Sequence, residues 1–251
     1  SVTSFEAFLP LSDSILIVAS NISTFIKQIS HLLVECFQFR LGSYASPERR
    51  ENPIVVTTKT ASFSGSRPVL VTQSEIWQPV MFRGGISFGQ CLPLYLPTIE
   101  SSKLRKRLGI VGEAVIEAVR LEKRTKGPRV LCSTSVRDAV QGTAAAHYIG
   151  PPLDAEPGCF ELYWPISVLE DSCNMEDAIN NRLGEWLQGL AHLYSYFRTD
   201  FSVRPHYESY LRLLVASALR KYPSGESALK EKMHAMDPDL LQTAFFPVGG
   251  H

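Results

Sequence analysis

Met81-Phe82-Arg83-Gly84-Gly85-Ile86-Ser87-Phe88-Gly89 is the stretch whose reading decides the fold. Val80 to Ser87 has strand character, yet a glycine pair stands in its middle. Glycine weakens a strand, so such a pair marks a bulge or a close approach to the backbone. The approaching group is either a helix packed tightly over the sheet or a phosphate or base lying on bared main chain. Downstream, Gly112-Glu113-Ala114-Val115-Ile116-Glu117-Ala118-Val119-Arg120-Leu121-Glu122 predicts a helix from about Glu113, with Val115, Ala118 and Val119 as its apolar stripe. Upstream, Phe5 to Leu9 and Ser14 to Ala19 flank Pro10 to Asp13, which predicts a hairpin with Asp13 at its tip.

Working outward, Ser20 and Asn21 offer a cap for a helix carrying Ile22, Phe25, Ile26, Ile29, Leu32, Leu33 and Cys36 at helical spacing. That helix is expected to stop near Arg40-Leu41-Gly42. Residues 42–79 have no helical period and read as an insertion of loops, with short strands at Ile54 to Thr58 and Val69 to Val71. Leu92 to Leu96 is expected to pair with the glycine-bearing strand. Arg129 to Cys132 reads as a strand, followed by a short helix through Val140 capped by Ser133 or Thr134. Phe160 to Trp164 reads as the last strand, closed by Pro165. From Met175 the stripes Ile179, Leu183, Trp186, Leu187, Leu190 and then Tyr207, Tyr210, Leu211, Leu214 predict helices. The expected fold class is α+β: a core over 1–170 and a helical C-terminal region over 171–251. One further strand and helix in front would complete a ferredoxin-like βαββαβ core.

Composition excludes several classes. Lys plus Arg and Asp plus Glu number 25 each, so no general basic field argues for nucleic acid. The longest apolar runs are far too short to cross a bilayer, and no signal peptide is visible, so no membrane insertion is expected. Five cysteines, odd in number and without zinc-ligand spacing, suit a reducing cytoplasm.

Few side chains stand out for chemistry. Asp13 at a hairpin tip suits a divalent cation through hard oxygen ligands, although aspartate is also a favoured turn residue, and position alone favours the turn. Arg83 beside Gly84 and Gly85 pairs with either a phosphate or a structural carboxylate. Arg120 stands where it can stabilise charge on a transferring phosphoryl group, or else pairs with Glu117 three residues earlier. Lys103, Arg105, Lys106 and Arg107 form a basic run, which is usually a solvated face and alternatively attracts polyphosphate. No histidine has a convincing partner, and neither a nucleophile elbow nor a P-loop is present.

The order of three motifs resembles class III nucleotidyl cyclases. Ser12-Asp13-Ser14 is similar to the family's hairpin, Arg83-Gly84-Gly85-Ile86-Ser87-Phe88-Gly89 to its Arg-x-Gly-Ile-x-x-Gly strand, and Gly112 through Leu121 to its Gly-x-x-Val-Asn-x-Ala-x-Arg-Leu helix. More narrowly, FRGGISFG, GEAVIEAVRLEK and GPRVLCS resemble the Pycsar uridylate and cytidylate cyclases of bacterial anti-phage defence. The resemblance covers about Phe5 to Val140.

It implies a cytoplasmic, homodimeric lyase with active sites at the subunit interface, making a 3′,5′-cyclic nucleotide from UTP or CTP, with UTP favoured. It implies two divalent ions, Mn2+ or Mg2+, with Asp13 as one metal aspartate and the other on a strand upstream of the hairpin. Arg120 would be the catalytic arginine, and Arg83, Gly84 and Gly85 would bind substrate. Ile116 stands where the family has asparagine, and the adenine-reading lysine and aspartate have no counterparts, which fits a pyrimidine. The alternative expectation is a catalytically degenerate cyclase-homology domain that binds a nucleotide or protein partner as a regulator.

Overall fold

The computed structural model describes residues 5–11, 14–41, 55–64, 67–76, 81–100, 103–154 and 156–245. Among these the fold class is α+β. Strands β1 (Phe5–Leu11) and β2 (Ser14–Ala19) form the expected hairpin, closing with Leu11 opposite Ser14. Helix α1 (Ile22–Leu41) follows at once, and the Asn21 side chain accepts from the Thr24 amide at 2.9 Å, capping its first turn.

Residues in the expected insertion form a long hairpin, β3 (Val55–Ser64) with β4 (Arg67–Ile76), not loops with two short strands. Its serines and threonines suit a strand as well as a loop: threonine is β-branched, and Thr57 bonds Ser74 across the ladder at 3.1 Å. The glycine-bearing strand shrinks to β5 (Gly84–Ile86). The expected pairing of Leu92 to Leu96 with it is overturned. β6 (Leu92–Glu100) instead pairs with β7 (Lys103–Val111), whose ends lie adjacent in the chain, from Glu100 opposite Lys103 to Leu92 opposite Val111.

Helix α2 (Glu113–Glu122) then leads to β8 (Val130–Ser133) and α3 (Thr134–Val140), and Ser133 caps α3 by accepting from the Val136 amide. Beyond α3 come β9 (Ile149–Leu153) and β10 (Glu156–Leu162). The last strand thus begins and ends earlier than expected, because Trp164–Leu169 winds into a 3-10 turn with Pro165 in its first turn. The main sheet has the order β5-β8-β10-β9. β5 and β8 are parallel, and the other two pairs are antiparallel.

The C-terminal helices are α4 (Met175–Asn180), α5 (Arg182–Phe197), α6 (Arg204–Lys221), α7 (Glu226–Met236) and α8 (Pro238–Phe245). One hydrophobic core runs from α1 through β8, β10 and the Trp164–Leu169 turn into these helices. At its centre Phe37, Trp164, Trp186 and Tyr210 pack ring to ring, with Phe37 and Tyr210 edge-on at 4.3 Å between centroids. Among the described residues no helix is long and apolar enough to cross a membrane.

Candidate functional site

Parallel neighbours need a crossover, and here β5 reaches β8 by way of the β6–β7 hairpin and α2. Gly84 pairs with Val130, Gly85 with Leu131 and Ile86 with Cys132. The two glycines do different things. A Cβ on Gly85 would lie 2.0 Å from the Ala118 carbonyl oxygen and 2.7 Å from the Leu121 Cβ, so α2 rests directly on this residue's backbone. A Cβ on Gly84 would meet nothing closer than the Val130 methyls at 3.7 Å. Close helix-on-strand contact therefore accounts for Gly85 but not for Gly84.

That contact sets the rotation of α2. Ala114 and Leu121 are buried against the sheet, whereas Ile116 and Val119 are 53% and 45% exposed. The sequence reading placed Val119 on the buried stripe. The helix is turned away from that orientation because the bare backbone of Gly85 admits its Ala118 carbonyl.

Arg83, at the amino end of β5, donates from Nε to the Glu122 carboxylate at 2.6 Å and from Nη1 to the Thr125 carbonyl at 3.5 Å. Arg120 lies two residues before Glu122, and two residues on a helix stand about 200° apart. Arg83 thus sits on the sheet side of α2, while Arg120 is exposed and forms no ion pair among the described residues. Glu117 does not pair with Arg120; its carboxylate accepts from the Ser87 hydroxyl at 2.5 Å. Asp13 lies outside the described residues.

Sequence reasoning missed a chain of hydroxyls at the carboxyl ends of β5 and β8. Ser133 Oγ donates to Ser87 Oγ at 3.4 Å and bonds Ser135 Oγ at 2.7 Å, and Ser135 accepts from the Phe88 amide at 3.3 Å. Its only signal in the sequence is a serine at each strand end, Ser87 directly after β5 and Ser133 as the last residue of β8. Parallel strands present ligand sites at this end. The basic run falls elsewhere. Lys103 pairs with Glu100 at the far end of the β6–β7 hairpin, eight residues from Val111, or about 26 Å along the strand.

Large apolar side chains besides Ile116 and Val119 are exposed near β5 and α2 in the chain. Phe82 and Phe88 flank β5, and Leu92, Leu94, Tyr95 and Val111 are exposed on the hairpin that leads to α2.

No group of three or more His, Cys, Asp or Glu side chains among the described residues is placed to hold a metal ion. Behind the site, Arg129 and Glu161 bridge at 2.6 Å with little exposure, tying β8 to β10. The Cys132 thiol is fully buried, and desolvation, reinforced by Glu161, pushes its ionisation far above the usual thiol range.

Comparison with known proteins adds no relative: no family model, no curated protein and no solved structure matches the chain.

Proposed function

We propose that this chain is a nucleotidyl cyclase that works as a homodimer, converting a pyrimidine nucleoside triphosphate, UTP before CTP, to its 3′,5′-cyclic monophosphate for anti-phage signalling. The observation that carries the reading is Arg120, exposed and without an ion pair among the described residues, on a face of α2 that also exposes Ile116 and Val119. A second copy covering that face would receive Arg120 beside its own bound triphosphate. In the reaction the ribose 3′ oxygen loses its proton and attacks the α-phosphorus, and pyrophosphate leaves. Positive charge placed around the phosphates does most of the work in such a transfer, and an arginine in this role is worth about 10³-fold or more. The ferredoxin-like core of the cyclase type is argued from the order hairpin, helix, β5, α2, β8, into which the β3–β4 and β6–β7 hairpins are inserted; β1 and β2 pair with each other apart from the β5-β8-β10-β9 sheet. Asp13 would supply a carboxylate to a divalent ion, Mn2+ or Mg2+.

The test is incubation with each of UTP, CTP, ATP and GTP in the presence of Mn2+, with cyclic products separated by chromatography and identified by mass. Cyclic UMP is expected from the wild type, with a loss of about 10³-fold in Arg120→Ala. Product from no triphosphate, or Arg120→Ala turning over at the wild-type rate, refutes it. A second reading, a regulator that binds nucleotide without turnover, is favoured by the Glu122 salt bridge that already occupies Arg83. It predicts thermal stabilisation by a triphosphate with no product.

A further inference from the structure

The turn that follows α2 is clamped from the other half of the molecule. Gly127 has φ +66°, and its amide donates to Nδ1 of His206, in the first turn of α6, at 2.9 Å. A Cβ on Gly127 would lie 2.8 Å from the His206 carbonyl oxygen and 3.3 Å from the Ser209 Cβ, so the turn lies flush against α6. The neighbouring residues are held as well. Thr125 is buried and bonds back to the Glu122 carbonyl at 2.7 Å, while the Pro128 carbonyl accepts from the Trp164 indole at 2.9 Å. Trp164 in turn stacks on Tyr210 of α6, with ring centroids 5.5 Å apart. Arg83 touches the same turn through the Thr125 carbonyl. An acceptor at Nδ1 requires the tautomer with its proton on Nε2.

We infer that His206 is a positioning residue: by accepting from Gly127 it fixes the 123–128 turn, and with it the end of α2 that carries Arg120 and receives Arg83. The helical C-terminal region, which lies outside the cyclase resemblance, thereby sets the geometry of the candidate site. The link to nucleotide rests on the cyclase reading; the link to the turn does not.

The discriminating pair of variants is His206→Leu, which has no acceptor, and His206→Asn, whose Oδ1 falls where Nδ1 of the imidazole stands. Backbone amide exchange is followed in the full chain, with peptides from α1 as internal reference. In His206→Leu, exchange across 123–128 rises about tenfold, the loss of one hydrogen bond, while α1 stays at the wild-type rate. In His206→Asn both stay near wild type. In parallel, UTP with Mn2+ raises the melting temperature of the wild type and of His206→Asn but not of His206→Leu.

Unchanged exchange at 123–128 in His206→Leu overturns the inference. So does exchange in His206→Asn as fast as in His206→Leu, or acceleration spread equally over α1. If His206→Leu does not fold, the comparison is made between His206→Asn and Gly127→Ala, whose Cβ pushes α6 away and whose exchange must rise. If exchange behaves as expected and no triphosphate stabilises any of the proteins, the clamp stands and the cyclase reading falls.

Discussion

Replacing Gly85 by alanine tests the central packing statement. The added methyl would stand 2.0 Å from the Ala118 carbonyl, 2.7 Å from the Leu121 Cβ and 2.8 Å from the Glu122 amide nitrogen. Two of these three are helix backbone, which cannot rotate aside as a side-chain tip would. The whole of α2 must lift from β5, so the cost belongs at the upper end of overpacking, about 3 kcal/mol. For a chain of this size that is roughly 6 to 12 °C in melting temperature. Gly84→Ala is the control: its methyl meets only the Val130 methyls at 3.7 Å. Relief of glycine's entropic cost in a strand makes it neutral or stabilising by up to about 1 kcal/mol. Urea denaturation followed by circular dichroism reads both. If Gly85→Ala unfolds within about 0.5 kcal/mol of wild type, or the two variants behave alike, α2 does not rest on β5 as described.

Three other outcomes are expected. The Tyr210 hydroxyl is fully buried with no hydrogen-bond partner among the described residues, and desolvation pushes its ionisation well above the usual tyrosine value. Tyr210→Phe should therefore stabilise the fold by about 1 kcal/mol in the same denaturation assay. Because Tyr210 ionises less readily folded than unfolded, stability is full below about pH 10 and falls above it. The fall should be shallower in Tyr210→Phe, and an equal slope would contradict this. Glu161→Gln leaves the Arg129 charge without its partner between β8 and β10 and should cost about 2 kcal/mol by urea titration. With a thiol-reactive dye, Cys91 and Cys173, both exposed, should label quickly in the folded protein, and the buried Cys132 and Cys159 only after denaturation; peptide mass mapping distinguishes them.

Local signals were legible and distant ones were not. The β1–β2 hairpin and α1 appear where alternation, helical spacing and the Asn21 cap put them. β9 escaped notice because Pro151 and Pro152 argue against a strand; it survives as the edge of its sheet, where a missing amide is tolerated. The parallel union of β5 with β8 joins segments more than forty residues apart, and no local pattern encodes it. For the candidate site, the glycine pair announced a close approach, but only coordinates separate Gly85 under a helix from Gly84 beside Val130. Arg120 was singled out by its motif, whereas its outward direction depends on how α2 is rotated. The bond from Ser87 to Glu117 spans thirty residues and had no sequence signal beyond a serine just after a strand.

The ring cluster at the heart of the core has a consequence for synthesis on the ribosome. Phe37 meets Trp164, Trp186 and Tyr210, so its partners emerge roughly 130 to 170 residues later. At about 5 to 20 residues per second the first helix waits on the order of ten to thirty seconds with its greasy side uncovered. During that interval the nascent protein offers a trigger-type chaperone a natural foothold, and a premature stop before α6 would leave that foothold permanently open.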